Sequence, residues 1–373
     1  MNRNPFRYGG VVEDPYFVNR EKEVKELSLS LVGGSNIILY SPRRYGKTSL
    51  IKRIAAKLRN DGIVVLYVDL SRVNSREQFL ELFCKEVLNS TSRWEKTLKI
   101  IGSMVRSARP IIKLEPDGMP AVTLDFDRYS SKQSFAEILD LPEKMAGKKR
   151  WIVIFDEFQE AERLGGEDFE KELRAVIQHH QKVNYVLMGS RKHLLLTMVT
   201  RKNRAFYNFG KLISLGKIEV TEWLQYLNKG FKSLKFKTNN KVFEKLIANA
   251  GNIPYYVQYL AFELAECAQY TGLPDESTLA QAESRVLLNQ NDYFLSLWES
   301  LSLTQQKTLK GLAIDNKYVF TREFADKNHI MTPSGVQRSI KVLMQKGIID
   351  KQNGEYFFED PFFRLWMEEF GKA

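Results

Sequence analysis

The segment that most constrains the fold is a loop containing glycine and lysine, placed between two patterned runs. Residues 36–40 are apolar and have strand character, and residues 49–56 have helical spacing. A strand, a tight loop and a helix that begins at Gly-Lys-Thr form the context of a phosphate-binding loop. The residues that we predict to bind phosphate are Ser41, Pro42, Arg43, Arg44, Tyr45, Gly46, Lys47, Thr48 and Ser49.

The chemistry of this loop follows from its residue types. Backbone N–H groups and the positive end of the following helix favour a bound phosphate. We expect Lys47 to reach the β- and γ-phosphates and the Thr48 hydroxyl to hold a magnesium ion. Ser41 stands where the usual pattern has its first glycine, so the match is partial and needs support from elsewhere in the chain.

A second apolar run, residues 151–155, supplies that support because it ends in Asp156 and Glu157. In P-loop NTPases an acid at this place holds magnesium, and a following glutamate can orient and deprotonate the attacking water. The alternative is that the two acids only cap the next helix. Because the phosphate loop precedes this pair, we predict a nucleoside triphosphate site.

Length and composition indicate an ordinary globular chain with room for two or three domains. The 373 residues are 43% hydrophobic and 27% charged. No apolar run has the roughly 18 residues needed to span a membrane, and the N-terminus lacks the apolar stretch of a secretory signal. Cys84 and Cys267 lie in apolar, helix-like patterns and are expected to be core residues. We therefore expect a cytoplasmic protein without a membrane partner.

The net charge of +11 is unevenly distributed along the chain. Residues 182–217 contain eight basic residues and no acid, whereas residues 291–373 contain eleven of each sign. A basic surface can attract nucleic acid, and a solvated face fits the same pattern. The neutral C-terminal region gives little charge argument for DNA binding there.

The first part of the chain alternates apolar runs with helical periodicity, which predicts an α/β fold with a parallel five-stranded sheet. The predicted strands are 36–40, 63–70, 151–155, 183–190 and 212–215. We expect the nucleotide at their carboxyl ends. Two alternating runs around Pro116-Asp117-Gly118 predict an inserted β-hairpin near 110–126. This domain is predicted to cover residues 1–217.

The remainder of the chain is predicted to contain two further domains. Residues 218–290 are helical in pattern, with a break at Gly251-Asn252-Ile253-Pro254, and predict a small all-α lid domain. Residues 291–373 contain three helix candidates and a hairpin signal at Asn353-Gly354. Three helices followed by a hairpin form the pattern of a winged-helix domain.

Together these features resemble the archaeal-type ATPase family, in the AAA+/STAND branch of P-loop NTPases, over nearly the whole chain. The resemblance rests on Phe17-Val18-Asn19-Arg20-Glu21, the loop from Ser41 to Leu50, Ile154-Phe155-Asp156-Glu157-Phe158-Gln159, Gly189-Ser190, Gly251-Asn252-Ile253-Pro254-Tyr255-Tyr256 and Asp360-Pro361-Phe362-Phe363-Arg364-Leu365-Trp366. It implies a P-loop NTPase of the ASCE/AAA+ type that uses ATP and Mg²⁺, with a helical lid and a winged helix.

The resemblance also implies roles for residues outside the two acidic and phosphate-binding motifs. Phe17, Val18 and Arg20 match the segment beside the base and ribose. Ser190 matches the polar sensor of the γ-phosphate, and Pro254 matches a turn of the helical domain near the nucleotide. That turn is one residue longer here than the family pattern, and a proline at the first helical position needs no function.

An arginine finger is expected among three residues, any of which could stabilise charge in the transition state. Arg174 follows the acid pair, and Arg191 and Arg204 flank the strand that ends at Ser190. We favour Arg191 because it is adjacent to Ser190. For each arginine taken singly, an ordinary surface or salt-bridge role is the favoured interpretation.

Three functions remain open from the sequence. The first is an ATPase switch, in which ATP closes the α/β domain on the helical domain, hydrolysis reopens it, and the winged helix contacts a partner. The second is a nucleotide-regulated DNA-binding protein that uses Gln337, Arg338 and Lys341 on the predicted recognition helix. The third is a signalling or defence scaffold that forms a homo-oligomer on binding ATP.

Overall fold

A computed structural model describes residues 4–12, 14–90, 100–105, 108–114, 120–126, 131–352 and 354–370. The chain divides into two compact units, of which one is Arg20–Gly216 and the other combines Met1–Asn19 with Lys217–Ala373. We call these the α/β unit and the helical unit. The predicted boundaries at 217 and 290 stay a prediction, and the first 19 residues fall with the helical unit instead of the α/β unit.

The α/β unit alternates strands and helices. Its elements are α1 (Glu21–Val32), β1 (Ile37–Tyr40), α2 (Lys47–Asn60), β2 (Val64–Asp69), α3 (Arg76–Asn89), β3 (Ala108–Leu114), β4 (Pro120–Phe126), α4 (Ser131–Leu139), α5 (Leu141–Met145), β5 (Trp151–Asp156), α6 (Gly166–Ile177), β6 (Val183–Gly189), α7 (Lys192–Thr200) and β7 (Lys211–Ser214). Short 3₁₀ helices cover Leu70–Arg72 and Phe158–Leu164.

Five strands form one parallel sheet in the order β2-β5-β6-β1-β7, which confirms the predicted fold class. Every residue of β5 and β6 is buried, as expected for strands covered on both faces. The register pairs Asp69 with Asp156 and Tyr40 with Gly189. Since the strands are parallel, the loops that follow β1, β5 and β6 leave the same edge of the sheet.

An aromatic cluster fills the layer between the sheet and helices α3, α4 and α6. The ring centroid of Phe79 lies 5.2 Å from that of Phe169 and 6.1 Å from those of Phe135 and Phe155. Phe79, Phe155 and Phe169 are fully buried. Truncating a buried phenylalanine to alanine costs about 3–5 kcal/mol, so this cluster is a main source of rigidity beneath the sheet.

The predicted inserted hairpin is present as an antiparallel pair of β3 and β4. Its register runs from Ala108 opposite Phe126 to Leu114 opposite Pro120. The predicted turn at Pro116-Asp117-Gly118 lies outside the described residues.

The helical unit contains two groups of elements after residue 217. The first comprises α8 (Val220–Ser233), α9 (Asn240–Asn249), α10 (Pro254–Thr271) and α11 (Glu276–Asn289). The second comprises α12 (Asn291–Glu299), α13 (Leu303–Ile314), α14 (Arg322–Lys327), α15 (Pro333–Gln345), β8 (Ile349–Gln352), β9 (Glu355–Phe358) and α16 (Pro361–Phe370). Within the described residues, none of the helices is both long enough and apolar enough to cross a membrane.

The second group has the element order of a winged helix, as the sequence predicts. Ser302 caps α13 in a reciprocal capping box with Gln305, and Thr332 caps α15 ahead of Pro333. Strands β8 and β9 are antiparallel, with Ile349 opposite Phe358.

The N-terminal segment is part of the helical unit because it is hydrogen-bonded to α8 and α10. Phe6 is buried, with its ring centroid 5.0 Å from that of Phe231. The buried Gln258 accepts a hydrogen bond from the Arg7 N–H and donates one to the Tyr16 carbonyl. These contacts join residues far apart in sequence, so no local pattern predicts them.

Candidate nucleotide site

The loop after β1 turns the chain sharply into helix α2. Arg44 and Gly46 have φ angles of 69° and 81°, which turn the chain sharply before α2 begins. Gly46 is the N-cap of α2 and has no side chain, so no side-chain oxygen of the cap residue occupies the N-terminus of this helix. A Cβ atom at Gly46 would meet no heavy atom within 4 Å, so there is free space beside the backbone. This arrangement fits a phosphate approaching the helix N-terminus.

The remaining loop side chains differ in exposure. Arg43 and Arg44 are exposed, and Pro42 and Ser49 are partly buried. Ser41 is fully buried, and its Oγ has no hydrogen-bond partner among the described residues. Ser41 therefore carries a buried polar atom where the usual glycine has none.

Lys47 and Thr48 contact the two acids that follow β5. Lys47 is buried, and its Nζ lies 3.4 Å from Glu157 Oε1 and 3.7 Å from Asp156 Oδ1. Thr48 Oγ1 donates to Asp156 Oδ2 at 3.4 Å. The structure thus brings together the two motifs that the sequence pairs, although they are 108 residues apart.

The two acids have different protonation preferences. Burial raises the pKa of Asp156 above its ordinary value, and the nearby Lys47 charge opposes this effect. Burial also acts to raise the pKa of Glu157. The Lys47 charge and hydrogen bonds from Gln159 and Ser190 outweigh it, so this pKa is lower than usual. Glu157 is consequently the better-stabilised carboxylate.

Ser190 lies at the end of β6, as predicted, and it binds Glu157. Its Oγ donates to Glu157 Oε2 at 2.8 Å, and its N–H donates to the same oxygen at 3.2 Å. Glu157 itself has a φ of 49°, a left-handed conformation that is uncommon for glutamate. Gln159 Nε2 donates to Glu157 Oε2 as well. The position of this carboxylate is therefore fixed by three donors.

Two residues of this constellation are absent from the sequence prediction. The Tyr67 hydroxyl donates to Asp156 Oδ2, and Gln159 holds Glu157. Tyr67 lies on β2, opposite Ile154 in the parallel register. Gln159 belongs to the segment that carries the family resemblance, and this resemblance is the one sequence feature that could have identified it. Tyr67 belongs to an apolar strand, and nothing in that strand's pattern distinguishes Tyr67 from its neighbours.

The residues present fit a magnesium ion beside a phosphate group. Magnesium prefers carboxylate and hydroxyl oxygens together with phosphate oxygens, and Asp156 with Thr48 offers the first two. Lys47 is the cation directed at the same point. Among the described residues, there is no cluster of three or more histidine, cysteine, aspartate or glutamate side chains that would favour another metal.

The residues predicted to lie near the base and ribose of the nucleotide do not all belong to the α/β unit. Arg20 belongs to the α/β unit, and its guanidinium is buried against backbone carbonyls. Phe17 and Val18 belong to the helical unit, as does Pro254, which occupies the first position of α10. Contacts of Phe17, Val18 and Pro254 with nucleotide stay predictions.

The three arginine-finger candidates have different surroundings. Arg191 is half exposed, 3.9 Å from Glu160 Oε1, and follows Ser190 directly. The Arg174 guanidinium lies 4.7 Å from the ring centroid of Phe209. Arg204 forms a two-bond ion pair with Glu170, which is fully buried. Arg204 is thus engaged in a structural pair, whereas a finger role for Arg191 stays a prediction.

A parallel sheet in this order, with a phosphate loop after β1 and paired acids after β5, defines a P-loop NTPase. A family model described as an ATPase domain predominantly from Archaea matches residues 17–260. A probable winged helix domain matches residues 292–369. The chain belongs to this archaeal-type ATPase family, and family membership supports ATP as its nucleotide.

Two solved structures share the fold of this chain, and one curated protein matches part of it. The chain is 18% identical to a Walker-type ATPase of Pyrococcus abyssi, with a TM-score of 0.66 over 98% of this chain and 99% of that one. It is 17% identical to the ORC2 protein of Aeropyrum pernix, with a TM-score of 0.54 over 97% and 96% of the two chains. An ATP-binding protein of Methanocaldococcus jannaschii is 26% identical over 153 residues, which span 38% of this chain and 40% of that protein.

Proposed function

We propose that this protein binds and hydrolyses ATP with magnesium and uses its nucleotide state as a conformational switch, with the winged helix contacting a partner. The observation that carries the proposal is the convergence of Lys47, Asp156 and Glu157 at the carboxyl edge of the sheet. A buried lysine beside two acids, in the first turn of a helix that follows a left-handed glycine, suits a charged ligand.

The proposed chemistry is positioning and electrostatic stabilisation. Lys47 binds phosphate oxygens, and Thr48 with Asp156 holds the magnesium ion, which neutralises phosphate charge when bound. Glu157 orients the attacking water and accepts its proton, and its lowered pKa keeps it in the ionised form that this role requires. Ser190 positions Glu157 through two hydrogen bonds and senses the γ-phosphate.

A lysine substitution tests the assignment directly. Lys47→Ala should lower magnesium-dependent phosphate release from ATP at least about 100-fold, because it removes the cation at the transferred group. Lys57→Ala is the matched control, since Lys57 is an exposed lysine on the same helix α2. Full turnover by Lys47→Ala would refute the proposed site.

The switch is tested by comparing nucleotide states. Limited proteolysis of the full chain with magnesium-ADP and with a non-hydrolysable ATP analogue should give different cleavage patterns. Identical patterns in both states, with nucleotide bound, would refute the switch. Sedimentation under the same two conditions tests the scaffold alternative, which predicts a larger species with the ATP analogue.

DNA binding through the winged helix is the second candidate function. Gln337, Arg338 and Lys341 are exposed on α15, which Thr332 caps firmly. Exposed basic side chains on such a helix can contact phosphates and base edges. Electrophoretic shifts of duplex DNA by the full chain should weaken as salt rises, and should weaken further with Arg338→Ala. Absence of any salt-sensitive shift would exclude this candidate.

A further inference from the structure

Arg20 has an unusual position and unusual partners. It is the first residue of the α/β unit, and its guanidinium is 3% exposed. Nη1 donates to Glu23 Oε1 at 3.0 Å. Nη2 donates to two backbone carbonyls, Tyr45 O at 3.2 Å and Gly216 O at 2.8 Å. Burying a guanidinium is costly unless its donors are satisfied, so this geometry is specific rather than incidental.

The two carbonyls belong to very different parts of the chain. Tyr45 lies inside the phosphate-binding loop, between Arg44 and Gly46, both with left-handed φ. Gly216 is the last residue of the α/β unit, after which the chain passes to the helical unit. One nitrogen atom therefore links the phosphate loop to the point where the chain leaves the unit.

The backbone is also constrained where the chain enters this unit. Asn19 and Arg20 are consecutive non-glycine residues with φ angles of 27° and 76°. Such conformations are strained for residues other than glycine and persist only where surrounding contacts fix them. Asn19, the last residue of the N-terminal segment, is fixed by a 2.7 Å hydrogen bond from Nδ2 to Glu222 Oε1 on α8. Arg20 is fixed by its carbonyl contacts.

We propose that Arg20 is a positioning residue that transmits the nucleotide state of the phosphate loop to the two chain crossings at residues 19–20 and 216–217. The inference deepens the proposed function and rests on it, because it requires nucleotide at residues 41–48. A nucleotide that orders the Tyr45 backbone also orders the Arg20 guanidinium, and through it Gly216. The residue predicted to lie beside the ribose thus acts on the protein backbone.

Hydrogen exchange of the full chain, with and without magnesium-ADP, tests this coupling. In the wild type, nucleotide should slow exchange in a peptide covering 41–50 and also, by about tenfold, in a peptide covering 214–219. A tenfold change lies at the low end of what a hydrogen bond from a charged donor contributes, as expected when nucleotide strengthens a bond that already exists. In Arg20→Met the effect at 41–50 should persist, while the effect at 214–219 should disappear.

Two further variants guard against a general loss of stability. Arg59→Met is the matched control, because Arg59 also donates from Nη2 to a backbone carbonyl, that of Val65 at 2.9 Å. It should leave the effect at 214–219 intact. Arg20→Lys, which keeps the charge but has one nitrogen for three acceptors, should give an intermediate effect. If Arg20→Met does not fold, the coupling is still tested by comparing nucleotide-dependent protection at 214–219 in the wild type and in Arg20→Lys.

The outcomes separate this inference from the proposed function. Protection at 41–50 without protection at 214–219 in the wild type would overturn the coupling alone. Protection at 214–219 that survives in Arg20→Met would do the same. Absence of any protection at 41–50 by magnesium-ADP would overturn both the coupling and the nucleotide site on which it rests.

Discussion

The carboxyl edge of the sheet and the exposed face of α15 both carry charged residues, but they hold them in opposite ways. At the edge, Asp156 and Lys47 are buried and within 4 Å of each other. On α15, Arg338 and Lys341 are exposed. Buried charges interact strongly and keep one geometry, whereas exposed charges are screened and mobile. The charged groups at the edge are therefore held in one arrangement, which indicates what kind of ligand they suit. The exposed charges on α15 do not indicate which partner they contact.

The largest effect is expected for Glu157→Gln, which removes the carboxylate and keeps the shape. ATP turnover should fall about 100- to 1000-fold, because a general base contributes by that order. Binding of magnesium-ADP should change little. Single-turnover hydrolysis and fluorescent-ADP binding measure the two quantities. Glu162→Gln, at an exposed position of the 3₁₀ helix that begins directly after Glu157, is the control. Turnover within about tenfold of wild type would show that Glu157 is not the base.

Arg204→Met tests whether a buried charge must be catalytic. Glu170 is fully buried, and burial raises its pKa above the ordinary value even with Arg204 beside it. Loss of Arg204 should lower the free energy of unfolding by about 3 kcal/mol in urea titrations. A carboxyl whose pKa is raised by folding stabilises the fold only while it is protonated. The loss of unfolding free energy caused by Arg204→Met should therefore grow as the pH rises through the pKa of Glu170 in the folded protein.

The partner of Arg204 provides the control for that experiment. Glu170→Gln in the Arg204→Met background removes the unpaired charge and should recover part of the stability at neutral pH. Turnover per folded molecule should stay near the wild-type value throughout. A variant that is stable but inactive would instead make Arg204 part of the catalytic machinery.

Tyr67→Phe should have a smaller effect, confined to magnesium. The Tyr67 hydroxyl donates to Asp156, and groups that orient a metal ligand typically change metal affinity by about 10- to 100-fold. We expect about a tenfold higher magnesium concentration for half-maximal binding of fluorescent ADP. Tyr40→Phe, on β1, serves as the control. An unchanged magnesium requirement would assign Tyr67 to packing only.

The smallest effect is expected on α15. Arg338→Ala combined with Lys341→Ala should leave ATP turnover within about twofold of wild type, because substitutions of exposed side chains without buried partners usually have small effects. The same pair of substitutions should also reduce the slope of DNA affinity against salt concentration, by an amount that corresponds to about one phosphate contact per residue. A large loss of turnover would contradict the contrast drawn between the two regions.

The sequence predicts the strands well because buried parallel strands are continuous apolar runs. The run at 183–190, for example, corresponds to β6 at Val183–Gly189. It also predicts Lys47, Asp156 and Ser190 as parts of one site, since parallel strands place their carboxyl ends at one edge. Local sequence patterns are sufficient to identify candidate residues that follow directly after a strand.

Contacts that depend on strand register and distant packing could not be predicted in this way. Tyr67 reaches Asp156 because β2 and β5 pair with a particular register, and uniformly buried strands carry no alternation that would reveal it. Gln258 holds the N-terminal segment across more than 240 residues of sequence. The assignment of Arg20 to the ribose likewise came from resemblance, whereas its described partners are backbone carbonyls.

The bridge from Arg20 to Gly216 also means that the first and last residues of the α/β unit lie side by side. Arg20 Nη2 is 2.8 Å from the Gly216 carbonyl oxygen, so the unit resembles a module inserted into another chain. Domains with adjacent termini tolerate excision and circular permutation. Residues 20–216 should therefore be expressible as an independent module, or be reopened at a surface loop after a short linker joins their ends.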